Sequence, residues 1–316
     1  MLVEFEAAAS FAGDDFLEQV LRGLSLRQKE LPSRFFYDSH GSELFEQITA
    51  LPEYYLTRAE VRLLESRAGA IRKLVPSGVD VVEFGSGSSR KTELLLSFLD
   101  KPRSYIPIEI SASALYPAAE RIQQKFPGLR VFPILGGFHD LDKIRLPATG
   151  HACLGFFPGS TIGNLTPHQA VALLRAAKYL LGSDALFLIG ADLQKPFDIL
   201  LPAYNDAEGV TAAFNLNILA RINRELGAGF DLSQFQHEAI YNEAENRIEM
   251  HLRSLIRQRV PIAGRSIAFK AGETIHTENS YKYTVAGFQR LAGEAGWTPS
   301  KSWTYDDGLF SLHLLA

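Results

Sequence analysis

A chain of 316 residues can bury a full α/β core and still carry a second, smaller domain. Hydrophobic residues make up 46% and charged residues 22%, the balance of an ordinary globular enzyme, and a net charge of −4 with no Lys/Arg cluster argues against nucleic acid as a partner. The one cysteine, Cys153, excludes a disulfide within the chain and points to a reducing, cytoplasmic setting.

The first residues, MLVEFEAAASFAGDD, lack the basic start and apolar core of a signal peptide, so none is expected. No apolar run approaches the ~18 residues of a membrane span, so no membrane partner is expected either. Residues 14–30 carry Phe16, Val20, Leu21 and Leu24 at helical spacing, a surface helix. A polar and aromatic loop with Tyr37 then enters a helix near Ser42. In Leu51-Pro-Glu-Tyr54-Tyr55-Leu-Thr57, Thr57 reads as a helix cap with Glu60 three residues on. Three tyrosines ahead of a nucleotide-type fold suggest a lid or pocket wall.

Val79, Val81, Val82 and Phe84 form a short apolar run that reads as a buried parallel strand. It feeds the tight turn Gly85-Ser-Gly87 and a helix with Leu94, Leu95, Leu96 and Phe98. Glycines there allow positive φ and close approach of a ligand, and the helix start directs unpaired N–H groups at it. Three nucleotide readings compete. A dinucleotide fingerprint needs a third glycine where Arg90 stands, and a Walker A loop ending Lys91-Thr92 fails at the same residue. The acid-x-Gly-x-Gly turn of S-adenosylmethionine (SAM) methyltransferases fits Glu83-Phe-Gly85-Ser-Gly87 in full. Ser104–Ile110 is a second strand with Glu109 near its C-terminal end, where a ribose diol would be gripped, and this favours the third reading.

Further strands are predicted at Leu129–Leu135, Ala152–Phe157 and Ala185–Gly190, with a helix from the Thr166-Pro167 cap through Leu181. The alternation implies an α/β, doubly wound, mostly parallel sheet with its ligand beyond the C-terminal strand ends. After residue 195 a helix to about Leu226 precedes period-2 segments at His237–Asn242, Arg247–Arg253, Ser266–Phe269 and around Glu278-Asn-Ser280. Glu278 and Ser280, two apart on an extended strand, share a face. A helix over 284–295 and a closing strand hairpin return to the main sheet. The predicted domains are therefore 61–195 with 284–316, and a smaller α+β domain of 1–60 with 196–283, the latter lying over the pocket. His237, His251 and His276 fall in separate segments without metal-ligand spacing, so no metal is expected. Trp297 and Trp303 read as core or strand-face aromatics, and Arg253, Arg257 and Arg259 as a solvated face.

Six blocks occur in order: Tyr37-Asp with Gly41-Ser-Glu-Leu-Phe-Glu, Leu51-Pro-Glu-Tyr-Tyr, Glu83-Phe-Gly-Ser-Gly, Gly159-Ser-Thr-Ile-Gly-Asn164, Tyr204 through Asn215, and Thr277-Glu278-Asn-Ser280. Together they resemble the histidine Nα-methyltransferases of ergothioneine biosynthesis, SAM-dependent enzymes with a Rossmann-like class I methyltransferase fold that convert histidine to hercynine. The resemblance implies SAM as cosubstrate and L-histidine and its methylated forms as partners, in a monomer. It implies a SAM site of Tyr37, Gly85, Gly87, Lys91, Glu109, Gly137 and Phe138. Tyr54, Gly159, Asn164 and Tyr204 would hold the amino acid's α-amino and carboxylate groups, with Tyr37 and Asn164 at the reacting amine. Glu278 and Ser280 would read the imidazole, with Met250 beside it. Aromatic faces at Tyr37, Tyr54 or Phe214 would tolerate the growing quaternary cation. Two departures stand out: Glu109 replaces the usual aspartate, and Gly136-Gly137-Phe138 replaces Gly-Asp-Phe, which leaves the adenine amino group to Asp140 or a backbone carbonyl. Other readings stay open at this point: methylation of another amino acid such as tryptophan, a degenerate P-loop enzyme, or a non-catalytic protein on a SAM-binding fold.

Overall fold

The computed structural model describes residues 13–87 and 90–316, except for the side chains of 13–15 and His139; most of the segment read for a leader lies outside them. The chain divides into two compact units, one of Leu56–Lys195 with Tyr281–Ala316, the other of 13–55 with Pro196–Ser280. Strand and sheet counts below refer to the described residues.

The first unit is built on an eight-stranded sheet. Its order is Pro299–Thr304, Phe310–Leu315, Leu186–Asp192, Cys153–Phe157, Asp80–Phe84, Ser104–Glu109 and Arg130–Val131, with Ile134–Leu135 also pairing with Ser104–Glu109. All pairings are parallel except those of the final hairpin, where Phe310–Leu315 runs antiparallel to both its neighbours. Chain order moves outward from Asp80–Phe84 on one side and then restarts at Cys153–Phe157 on the other. A reversal of this kind opens a crevice at the C-terminal strand ends. Asp80–Phe84 is buried at every position because parallel strands flank it and helices cover both faces. Val82, Phe84, Ile106, Ile108, Phe157 and Phe187 form its core, and Trp297 joins them with its indole N–H donating to the Leu174 carbonyl at 2.8 Å. The continuous strand predicted over Leu129–Leu135 is two short pieces, since Pro133 has no N–H to give the ladder. Thr166 and Gln169 close the helix Pro167–Leu181 with a full capping box.

The second unit holds a four-stranded sheet in the order Lys29–Glu30, Thr274–Tyr281, Arg247–Ser254 and Phe235–Asn242, plus the hairpin of Gln258–Ile262 and Arg265–Phe269. The helix predicted over 14–30 ends at Leu24; Lys29 and Glu30 instead pair in parallel with Ile275 and His276. Local periodicity cannot register that pairing, because its partner lies far along the chain. Helices Ser39–Ala50 and Val210–Leu226 complete the unit. The three arginines read as one face lie on two strands and the turn between them. Among the described residues, no helix is long and apolar enough to cross a membrane.

Candidate active site

The turn after Asp80–Phe84 shows why glycine stands there. Gly85 has φ +73° and Gly87 φ +46°, left-handed conformations that side chains resist. A Cβ on Gly85 would come within 2.8 Å of the Phe138 ring, while one on Gly87 would meet nothing within 4 Å. Gly85 therefore lets an aromatic ring lie on the turn, and Gly87 leaves an open edge. The helix Arg90–Phe98 starts directly behind.

Glu83, the acid of the turn motif, is engaged inside the fold. It is buried, takes a 2.5 Å hydrogen bond from Thr92 Oγ1 and another from the Tyr105 hydroxyl, and ties the turn to its helix and the neighbouring strand. Burial pushes its carboxyl up to about 8, against the two hydrogen bonds. Glu109, at the end of Ser104–Glu109, accepts the Gly87 N–H at 2.9 Å and those of Ile110 and Ser111 at 2.8 and 3.0 Å. Burial raises its pKa while these three bonds oppose the rise. An ionised carboxylate has about four acceptor sites, so three are filled and one remains toward a hydroxyl.

Phe138 packs edge-on to Phe157 with ring centres 5.2 Å apart. Gly137 keeps a negative φ of −112°, and a Cβ there would sit 3.6 Å from Ile110, an ordinary contact. Neither backbone nor space demands glycine at 137. Asp140 is engaged by Lys143 at 2.6 Å. Open glycine edge, strand-end carboxylate and ring on the turn nevertheless fit an adenosine group. Gly159, φ +82°, follows Cys153–Phe157, and Asn164 closes the short turn Thr161–Asn164.

In the second unit, the structure brings together three of the sequence-predicted substrate residues, Tyr54, Tyr204 and Ser280. The hydroxyls of Tyr204 and Ser280 lie 2.7 Å apart and both side chains are buried. Tyr54 stands 6.4 Å from Tyr204, ring centre to ring centre, and 6.3 Å from Phe45. Phe45 and Phe214 reach Tyr37 at 5.7 and 5.8 Å, which makes one continuous aromatic wall. Tyr37 is held there by its neighbour Asp38, which caps Ser39–Ala50 and accepts from Asn217 and Arg224. Asn215 on Val210–Leu226 pins two strands at once, taking Thr277 Oγ1 at 2.7 Å and giving to the His251 carbonyl at 3.0 Å. Met250 is buried on one of those strands; Glu278, half-buried, lies on the other, its carbonyl accepting from His276 Nε2 at 3.1 Å.

Sequence reasoning missed three groups. Thr57 is no cap, because the helix Tyr55–Leu74 begins before it, and Glu60 points inward. His251 and His276, separate in sequence, stack with ring centres 4.8 Å apart, and with Glu249 each offers one ligand atom within 4.8 Å of the others. That carboxylate already accepts from Asn242, Arg247 and His251, bonds that outweigh burial and hold it down at about 2. Asp192 meets Lys195 at 2.6 Å and Lys282 at 2.7 Å in near-complete burial. Only pairing across strands could have disclosed the last two.

The sheet order, with its antiparallel last strand inserted beside Leu186–Asp192, and the turn at the switch point define a Rossmann-like class I methyltransferase fold. The chain belongs to the histidine-specific, SAM-dependent methyltransferase family, whose model matches residues 16–316. It is 41% identical over 314 residues to a histidine N-alpha-methyltransferase of Mycolicibacterium smegmatis, covering 97% of this chain and 96% of that one. Against a histidine N-alpha-methyltransferase of Mycobacterium tuberculosis identity is 40% over 320 residues, with 98% and 99% covered. The ergothioneine biosynthesis protein 1 of Neurospora crassa is 30% identical over 308 residues, matching 91% of this chain and 33% of that longer protein.

Proposed function

We propose that this protein methylates the α-amino group of L-histidine three times with SAM, forming hercynine for ergothioneine biosynthesis. The observation that carries the reading is the family match over 16–316 together with the buried Tyr204–Ser280 pair and its aromatic wall. In this reading the unit with the glycine turn is the SAM-binding domain, through Gly85, Gly87, Lys91, Glu109, Gly137 and Phe138. Of the histidine-reading groups, Tyr54, Tyr204, Met250, Glu278 and Ser280 lie in the other unit, as does Tyr37; Gly159 and Asn164 belong to the first. A single cysteine leaves no disulfide to form within the chain, in keeping with a reducing cytoplasm.

When bound, SAM supplies a sulfonium methyl open to in-line displacement by a neutral amine. The neutral fraction of the α-amino group attacks, and the proton left on the amine after each of the first two transfers passes to solvent before the next, so the residues chiefly position the nitrogen. Tyrosine hydroxyls and the Asn164 amide can hold an amino-acid head group unchanged through three cycles. Tyr37, Tyr54 and Phe214 present ring faces that tolerate a quaternary ammonium. Glu278 and Ser280 supply an acceptor and a donor–acceptor for the two imidazole nitrogens. A site built to hydrogen-bond an imidazole gains nothing from an apolar side chain, and this selects against apolar amino acids. Mass spectrometry of histidine incubated with protein and SAM should show three successive methyl additions, with tryptophan in the same vessel unmodified. Absence of any methylated histidine, or preferential methylation of tryptophan, overturns the reading.

A further inference from the structure

Glu60 lies on the second turn of the helix Tyr55–Leu74 with no surface exposure. Its carboxylate accepts the Gly159 N–H through both oxygens, at 2.8 and 3.0 Å, and the Lys91 ammonium at 2.5 Å. Three separate pieces of the first unit therefore meet on one side chain: a flanking helix, the helix behind the glycine turn, and the turn that ends Cys153–Phe157.

The surrounding sequence makes room for this carboxylate. Gly190 lies within the buried strand Leu186–Asp192, where glycine weakens a strand, and a Cβ there would sit 2.2 Å from Glu60 Oε1. Gly159 is in the left-handed region, and a Cβ there would sit 3.4 Å from Lys91 Nζ. Two glycines thus border one buried ion pair. A carboxylate this deep persists only when its hydrogen-bonding capacity is met, and the ammonium and backbone N–H meet it.

We propose that Glu60 is a positioning residue that fixes Lys91 and the Gly159 turn as one piece, and through Lys91 sets the affinity for the donor. This rests on the reading of Lys91 as a donor-binding residue. Lysine is a flexible point charge, and its pair with Glu60 uses one of its three donors while fixing where the others point. The pair is also neutral overall, so a cation is held close to a site whose ligand carries a sulfonium charge without adding net repulsion.

The test is a double-mutant cycle on S-adenosylhomocysteine affinity by calorimetry, with Glu60→Gln, Lys91→Met and the pair. Glutamine keeps an oxygen for the Gly159 N–H and removes the charge that holds Lys91. Glu60→Gln should weaken binding about tenfold, and the double variant should bind no more weakly than Lys91→Met alone. A Glu60→Gln change within twofold, or losses that multiply across the cycle, overturns the positioning role, since a purely structural role would be independent of Lys91. Unchanged affinity in Lys91→Met instead overturns the donor-binding reading of Lys91 on which the role rests. If Glu60→Gln fails to fold, Glu60→Asp keeps the charge and shortens the reach; it should weaken binding less than Lys91→Met, and unaltered affinity there also overturns the proposal.

Discussion

Tyr204 and Ser280 share a hydrogen bond in a buried setting, so removing either hydroxyl takes that bond from the other. Such a bond contributes about 0.5–1.5 kcal/mol. Tyr204→Phe and Ser280→Ala should each lower kcat/KM for histidine about tenfold and leave KM for SAM unchanged, as steady-state kinetics with each substrate varied will show. Glu83 illustrates a residue whose role follows from depth rather than motif. Its carboxyl titrates at about 8 when folded, against 4.5 for the free group, so the folded state keeps a proton that the unfolded chain sheds between those values. Stability from this group is complete below about 4.5 and falls as pH rises through about 8. Glu83→Gln, an uncharged stand-in for the acid, should therefore gain stability relative to the parent as pH goes from 5 to 9, read from Tm against pH.

Helix ends behave as short-range signals say where the capping groups are free to act. Thr166 accepts from the Gln169 N–H, and the Gln169 side chain accepts from the Thr166 N–H. Thr166→Ala should lower stability by about 1 kcal/mol in a urea melt. The same kind of pattern at Thr57 and Glu60 did not make a box. There the helix begins before Thr57, and the half-buried Lys91 ammonium and the Gly159 N–H take the Glu60 carboxylate. The break in the strand over Leu129–Leu135 was visible in principle, because Pro133 removes a donor whatever the tertiary context.

At the scale of the whole molecule, the chain leaves the first unit after Lys195 and re-enters it at Tyr281. Both passages are tied to one carboxylate, Asp192, by Lys195 and Lys282. Burial lowers the Lys195 ammonium to about 8, with the Asp192 charge opposing that fall. Taking the anion from such a cluster removes the carboxylate that both buried ammonium groups bond, a loss of about 3–5 kcal/mol. Asp192→Asn should show that loss in chemical denaturation, and Lys195→Met should show a smaller one because the Asp192–Lys282 pair survives.

What the sequence by itself determined was whatever depends on neighbours along the chain. The alternation of apolar runs and helices fixed the doubly wound sheet, the glycines at 85 and 87 fixed the turn, and six ordered blocks fixed the family. Tertiary structure alone decided which distant polar groups share a partner: Glu60 with Lys91 and Gly159, His251 against His276, Asp192 with Lys282, and Lys29 beside Ile275. The reason is physical. Hydrophobic period and backbone conformation are set within a few residues, whereas a buried charge or hydrogen-bonding group is satisfied by whatever the fold brings to it, and chain distance carries no record of that.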